Sequence, residues 1–291
     1  MFFLNNLKIL ALICSSLIFV GINNLLSHDC LSMNVAKEIL NGFPNEPITV
    51  LEENITLEEA YCGQEKLNFL INRKHKDKIG YKVGFTGKHT QDMFNISEPA
   101  TGVIYNHMFL KNNGRVDHKF GYRTFIEPDF MVIIKNNKIM SAKTDLEILE
   151  NITSFHPFVE IISVRFEENE KLNAKMVIAS NMLATKMVMG EGIKAKNNEE
   201  FLNKINSINT IFIKNNDTVL QEEKVSNLMG GPMNVLKWLI NDFNKKGIVL
   251  KKNDRISLGS VGKLFPLEKN SQYKYSFQGI SGNKSLIINV D

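Results

Sequence analysis

Three acidic side chains stand where they could act together. Glu127 and Asp129 lie two residues apart in the apolar segment 125–134, and Glu160 follows 31 residues after Asp129 in the run 158–164. Both segments are typical of strands, and side chains alternate along a strand, so Glu127 and Asp129 project from one face. A carboxylate in apolar surroundings is costly unless it has a partner or a metal. Three convergent carboxylates therefore predict a site for a hard divalent cation such as Mg²⁺, Mn²⁺ or Ca²⁺.

Simpler explanations of these acids remain open at this point. Two acids with this spacing are often only a solvated strand face, and Glu160 could form an ion pair with Arg165 or with a lysine. The six histidines show no paired spacing typical of a metal site. His89 and His107 fall in loops, where we expect surface roles.

The segments that carry the acids belong to a region of short apolar runs. Candidate strands lie at 80–84, 102–105, 125–134, 158–164, 184–189, 208–213, 218–221, 255–258, 273–277 and 285–290, and candidate helices at 145–153, 198–205 and 233–245. Many strands with few, dispersed helices predict an α+β domain built on a curved mixed sheet or roll. We place this domain at 79–291.

The preceding part of the chain has a different character. Thr56 and Glu59 have the spacing of a capping box, which starts a helix whose apolar residues recur on one face. Residues 28–78 are therefore predicted to be a helical N-terminal segment.

The first 27 residues predict export. Lys8 precedes an apolar run from Ile9 to Ile22, which is shorter than the roughly 20 residues a membrane-spanning helix needs. This pattern is typical of a signal peptide, with an uncleaved N-terminal anchor as the alternative. Without the leader, Cys30 and Cys62 remain as an even pair. They could form a disulfide in an oxidising compartment such as the periplasm, or remain two unrelated thiols.

Composition excludes several classes of protein. The chain has 291 residues, of which 43% are hydrophobic, so a disordered or fibrous protein is excluded. Its 35 Lys and Arg nearly balance its 31 Asp and Glu, giving a net charge of +4. This small excess is not the strong basic patch that nucleic-acid binding requires.

Five motifs occur in order along the chain. They are IGYKVGFT at 79–86, FIEPDF at 125–130, PFVEIISVR at 157–165, GPMNVLKWL at 231–239 and DRISLGSVG at 254–262. Together they resemble the 2-oxopent-4-enoate (2-hydroxypentadienoate) hydratase branch of the fumarylacetoacetate hydrolase superfamily. The resemblance extends from Thr56 to the C-terminus.

This resemblance implies a mixed β-sandwich-like roll with a helical N-terminal segment, a bound Mg²⁺ or Mn²⁺, and a homo-oligomer. The implied reaction adds water across the alkene of a 2-hydroxy-2,4-dienoate to give a 4-hydroxy-2-oxo acid. The implied metal ligands are Glu127, Asp129 and Glu160. Lys82 is the implied catalytic residue, which would bind the substrate carboxylate or move protons. The implied substrate-binding positions are Glu98, Arg165, Asn181 and Gly259.

Some positions depart from the pattern of the hydratases. These positions are Ala100, Ser180, Gly231 and Leu258. The metal ligands are thus better preserved than the groups that would steer protons and water, which indicates an altered substrate or reaction. The rival interpretations are a decarboxylase or C–C hydrolase of the same superfamily, and a non-catalytic, exported 2-oxo acid binding protein.

Overall fold

A computed structural model of the chain describes residues 30–170, 172–280 and 284–291. The predicted leader at 1–27 lies outside these ranges. Within them, no helix combines the length and the apolar character needed to cross a membrane.

Two helices form the N-terminal part of the described chain. Ser32 caps the first helix, and the Thr56 hydroxyl and Glu59 carboxylate cap the second in the predicted capping box. The structure joins Cys30 to Cys62, which ties the start of the described chain to the second helix. The helices of the described ranges are α1 (Met33–Asn41), α2 (Leu57–His75), α3 (Lys88–Phe94), α4 (Asp145–Glu150), α5 (Ala174–Ala179), α6 (Glu199–Asn206) and α7 (Pro232–Lys246).

The strands follow the predicted pattern of short runs separated by turns. They are β1 (Lys78–Gly84), β2 (Ala100–Tyr105), β3 (Phe109–Leu110), β4 (Gly114–Val116), β5 (Thr124–Ile134), β6 (Ile152–Ser163), β7 (Lys186–Met189), β8 (Ile193–Lys194), β9 (Asn209–Lys214), β10 (Thr218–Lys224), β11 (Arg255–Ser260), β12 (Phe265–Pro266), β13 (Ser271–Gln278) and β14 (Lys284–Val290). The helix predicted at 145–153 ends early, because Asn151 caps it and the β-branched residues Ile152 and Thr153 begin β6.

These strands form two mixed sheets. The larger sheet has the order β2-β1-β11-β5-β6-β7-β3, with β12 beside β5 and β8 beside β6, and the smaller has the order β10-β9-β13-β14-β4. Their inner faces pack together, and the rings of Phe130 on β5 and Phe277 on β13 stack with centroids 4.9 Å apart. The predicted α+β, sandwich-like roll with a helical N-terminal segment is therefore confirmed.

The two faces of the larger sheet enter different cores. On β5, Ile126, Phe130 and Val132 are fully buried in the core shared with the smaller sheet, α6 and α7. The opposite face of the sheet meets a second core, built with α1, α2 and α5, to which Met131 and Phe158 belong. Burying each such side chain contributes about 2 kcal/mol. Both faces of β5 and β6 are therefore covered, and any polar group there is held in apolar surroundings.

Candidate active site

The predicted charged residues of the acid cluster lie on β1, β5 and β6 of the larger sheet, with β11 between β1 and β5. β1, β11, β5 and β6 are adjacent, and Lys82 pairs with Ser257 between β1 and β11. Glu127 on β5 and Glu160 on β6 are direct partners across the two strands. Because partners across a sheet point to the same side, Glu127, Glu160 and the neighbouring Asp129 share one face.

The alternation of side chains explains why these charges point away from the core between the sheets. Tyr81 and Val83 flank Lys82 on β1 and enter the core between the sheets, so Lys82 points to the opposite face. Asp129 is 1% exposed, Lys82 5% and Glu160 0%, whereas Glu127 is half-buried. The carboxylate cluster is therefore open to solvent mainly at Glu127.

The contacts of these side chains are specific. The Nζ atom of Lys82 forms an ion pair with Oε2 of Glu160, so the lysine alternative considered for Glu160 is the one observed. The Ser257 hydroxyl donates to Oδ2 of Asp129 at 2.8 Å, and the backbone N–H of Phe130 donates to Oδ1 at 2.5 Å. Among the described residues, Oε1 of Glu160 has no hydrogen-bond partner although it is buried. One carboxylate oxygen thus lies unpaired beside two further acids.

The cluster shifts the pKa values of its members. Burial, with the charges of Glu160 and Glu127, raises the pKa of Asp129 well above its ordinary value. Burial also raises the pKa of Glu127 to about 7; the ammonium of Lys82 opposes this, and the carboxylate of Glu160 adds to it. For Lys82, burial lowers the pKa, but Glu160 and Glu127 outweigh burial and the net pKa is raised. The ammonium form of Lys82 is therefore retained at neutral pH.

The donor atoms of this cluster suit a hard divalent cation. Three carboxylates supply only oxygen, and the unpaired Oε1 of Glu160 is a free ligand atom in a buried position. However, the oxygen atoms of the three carboxylates do not all come within 4.8 Å of one another. Among the described residues, ligand atoms of His75, Asp77 and His107 do lie that close together. Rotation of side chains would have to draw the acids together around an ion.

Two predicted substrate-binding residues make contacts in other places. Arg165 donates from Nε to the backbone oxygen of Glu46 at 2.5 Å and from Nη1 to that of Ile39 at 2.6 Å, so its guanidinium holds the N-terminal segment. The Asn181 amide clamps β2, accepting from the Val103 N–H at 2.7 Å and donating to its carbonyl at 3.0 Å. Both line a cavity of about 220 Å³ that does not include the acids.

The other two predicted substrate-binding positions differ in burial. Glu98 is exposed just before β2, and its charge adds to the effects of burial and of Asp242 in raising the pKa of Tyr61 to about 12. Gly259 has a φ of 100°, and a Cβ there would lie 2.3 Å from the Thr86 hydroxyl. Gly259 therefore allows β11 to approach the end of β1, beside the strands that carry the acids.

Sequence reasoning missed two serines of the cluster. Ser257 is fully buried and hydrogen-bonds Asp129, and a hydrogen bond from Ser260 lowers the pKa of Glu127 against the raising effect of burial. Both belong to the motif at 254–262, which contained the signal for them. Which of its residues would face the acids depends on the pairing of β11 with β5, where the register shifts between Ser257 and Ser260.

Comparisons with known proteins agree with this architecture. No family model matches the chain. The chain is 22% identical over 236 residues to a 2-hydroxyhexa-2,4-dienoate hydratase of Comamonas testosteroni, covering 80% of this chain and 87% of the relative. It is 18% identical over 247 residues to a 2-keto-4-pentenoate hydratase of Paraburkholderia xenovorans, covering 82% and 87%.

Solved structures show the same fold. A 4-oxalocrotonate decarboxylase from Pseudomonas putida G7, complexed with magnesium and adipate, superposes with a TM-score of 0.75 at 19% identity, covering 89% of this chain and 97% of the other. A fumarylpyruvate hydrolase from Pseudomonas aeruginosa, in complex with Mn²⁺ and pyruvate, superposes with a TM-score of 0.55 at 9% identity, covering 73% and 88%. The chain thus shares the fold of these fumarylacetoacetate hydrolase-type structures, and its sequence is similar to those of 2-hydroxydienoate hydratases at 18–22% identity.

Proposed function

We propose that the chain is a metal-dependent lyase of the hydratase type that acts on a small 2-hydroxydienoate or 2-oxo acid. The observation that carries this proposal is the cluster of three carboxylates and one ammonium group on one face of four adjacent strands. Such a cluster is costly to bury, because each unpaired charge loses its hydration. The sequence relatives, which are hydratases and a decarboxylase of small unsaturated acids, support the same class of reaction.

Glu127, Asp129 and Glu160 are the residues that would hold a divalent cation. Their oxygen atoms suit Mg²⁺ or Mn²⁺, and the unpaired Oε1 of Glu160 supports a ligand role. When bound, the ion would supply Lewis-acid stabilisation of the negative charge that develops on a 2-oxo acid.

The neighbouring residues have separate roles in this proposal. Lys82 holds a proton on Nζ at neutral pH, because the surrounding carboxylates raise its pKa. Its positive charge can therefore bind the substrate carboxylate, whereas proton delivery by Nζ would require this pKa to be lower than it is beside the free carboxylates. Ser257 keeps the Asp129 carboxylate in a fixed orientation through its hydrogen bond. Met131 and Phe158, buried on the same face, limit the access of water.

A decarboxylase of the same superfamily is the second candidate. The specific observation in its favour is that a 4-oxalocrotonate decarboxylase is similar to this chain both in sequence, at 20% identity over 226 residues, and in structure. A non-catalytic 2-oxo acid binding protein remains the alternative from another class. Among the departing positions, Leu258 does not weaken the proposal, since its side chain is buried in the core between the sheets.

We further propose that the protein is exported and assembles as a homo-oligomer, with residues 1–27 as a signal peptide or anchor. The disulfide between Cys30 and Cys62 supports export, because such bonds persist in oxidising compartments. Residues 28–78 would then form the helical N-terminal segment of the mature chain and 79–291 its catalytic domain. The molar mass of the purified full-length protein, with and without reducing agent, tests the assembly.

The decisive experiment replaces one ligand. We expect Glu160→Gln to abolish both Mg²⁺ binding, measured by calorimetry, and turnover of a panel of 2-hydroxydienoates and 2-oxo acids. Loss of the diene chromophore, release of CO₂ and C–C cleavage distinguish hydratase, decarboxylase and hydrolase. Glu222→Gln, at an exposed position on β10, is the matched control. Full turnover by Glu160→Gln would refute the proposal, and tight metal-dependent binding without product by the parent would favour the binding protein.

A further inference from the structure

A second group of potential metal ligands lies where α2 ends. α2 finishes at His75, Lys76 adopts a left-handed conformation with φ of 55°, and Asp77 immediately precedes β1. β1 and β2 are antiparallel partners, so the residue before β1 meets the residues after β2. There a 3₁₀ turn at Asn106–Met108 presents His107 beside Asp77. Residues distant in sequence are thus brought to one corner of the sheet.

Hydrogen bonds hold this corner in place. The backbone N–H of His107 donates to Oδ2 of Asp77 at 2.7 Å, and the ring Nδ1 of His107 lies 2.9 Å from the same oxygen. The backbone N–H of Asn106 donates to the Asp77 carbonyl at 2.9 Å. The ring of His75 stacks on that of His107 with centroids 3.8 Å apart. The carboxylate and one imidazole are therefore oriented by the fold before any ion arrives.

The positions of the ligand atoms and their exposure favour access by an ion. One ligand atom from each of His75, Asp77 and His107 lies within 4.8 Å of the other two. The side chains of Asp77 and His107 are 24% and 31% exposed. His75 is exposed at the helix end, so its ring can turn a nitrogen toward its neighbours without disturbing a core. The site is thus formed by the fold yet reachable from solvent.

The donor set differs in kind from that of the acid cluster. Two imidazole nitrogens and one carboxylate suit a borderline cation such as Zn²⁺, whereas three carboxylates suit hard ions. Lys74 also lines this corner, and its positive charge opposes any bound cation, so coordination by the imidazole nitrogens must outweigh that repulsion. His75 and His107 also line the cavity of about 220 Å³, which leaves room for water or a small ligand at a fourth coordination position.

We propose that His75, Asp77 and His107 form a binding site for a divalent cation of the zinc class, separate from the acids of β5 and β6. This site does not depend on the proposed lyase activity. Its ligands come from α2, the link to β1 and the turn after β2, so an ion there would tie the helical N-terminal segment to the edge of the larger sheet.

The test uses the purified protein after chelator treatment, with Zn²⁺ as the calorimetric probe and Co²⁺ as the spectroscopic one. In the Glu160→Gln background, we expect one Zn²⁺ to bind per chain. His75→Ala and His107→Ala should each lower the affinity by about tenfold or more, since even outer partners of metal ligands contribute that much. His89→Ala, at an exposed position on α3, should bind Zn²⁺ as tightly as the Glu160→Gln protein without a further substitution.

Further variants separate loss of ligands from loss of fold. His107→Gln keeps a side chain that can hydrogen-bond Asp77 but lacks the imidazole, and it should lose the visible Co²⁺ bands while its thermal melting in chelator stays that of the parent. The proposal is overturned if His75→Ala and His107→Ala bind Zn²⁺ as tightly as His89→Ala does. Loss of all Zn²⁺ binding in Glu160→Gln would overturn it as well, since the ion would then belong to the acid cluster.

Discussion

The half-buried carboxyl of Glu127 makes a specific prediction about the metal-free protein. Its pKa is raised from 4.5 to about 7, with burial as the largest cause. The folded state therefore binds more protons than the unfolded state between these values. Consequently, the contribution of Glu127 to the free energy of unfolding falls as the pH rises from about 4.5 to 7. Below this window the carboxyl is neutral and carries no penalty; above it the penalty is complete.

The size of this penalty follows from the pKa difference. One pKa unit corresponds to about 1.4 kcal/mol, which gives about 3 kcal/mol for the full difference. Because Glu127 is only half-buried, solvent screens part of the interaction. We therefore expect a penalty of about 2 kcal/mol at pH 8.

Glu127→Gln isolates this contribution, because glutamine mimics the neutral carboxyl at every pH. Urea unfolding in chelator should give nearly equal stability for parent and variant near pH 4, below this window. At pH 8 the variant should be more stable by about 2 kcal/mol. Glu222→Gln should show no such pH-dependent gain. Saturating Mg²⁺ at pH 8 should stabilise the parent but not Glu127→Gln, since only the parent keeps all three ligands. A difference between parent and variant that stays constant from pH 4 to 8 would refute this reasoning.

Three further perturbations test other parts of the structure. Lys82→Met leaves the carboxylate of Glu160 buried without its partner, and we expect it to lower the free energy of unfolding by about 3 kcal/mol at pH 8, measured with urea. Replacing both Cys30 and Cys62 by serine removes the disulfide, which joins residues 32 positions apart in the chain. This should lower the free energy of unfolding by about 3 kcal/mol, seen as a lower melting temperature. Arg165→Met loses two hydrogen bonds to backbone carbonyls and should lower stability by about 3 kcal/mol, while Mg²⁺ affinity measured by calorimetry stays unchanged.

Each of these has an outcome that contradicts it. Unchanged stability of Lys82→Met at pH 8 would mean that the ion pair is not formed in solution. Equal melting of the parent with and without reducing agent would contradict the role of the disulfide. A loss of Mg²⁺ affinity in Arg165→Met that exceeds its loss of stability would place the guanidinium at the site after all.

The sequence alone determined features that depend on local geometry. The spacing of Thr56 and Glu59 predicted the start of α2 correctly, because a capping box needs only neighbouring backbone groups. The two-residue period of β5 placed Glu127 and Asp129 on one face, and Ile126, Phe130 and Val132 on the other. The ordered motifs identified the fold, since each marks a strand or a helix start that this architecture requires.

Only the tertiary structure decided which distant residues meet. Lys82 is 78 residues from Glu160, and their ion pair exists because β1 and β6 lie in one sheet. Arg165 was an equally plausible partner in the sequence, yet the chain beyond β6 directs its guanidinium to carbonyls of the N-terminal segment. His75 and His107 show no metal spacing in the sequence, but the pairing of β1 with β2 stacks their rings. A sequence pattern fixes the face of an element, whereas partners across elements depend on strand order and register, which arise only when the whole core packs.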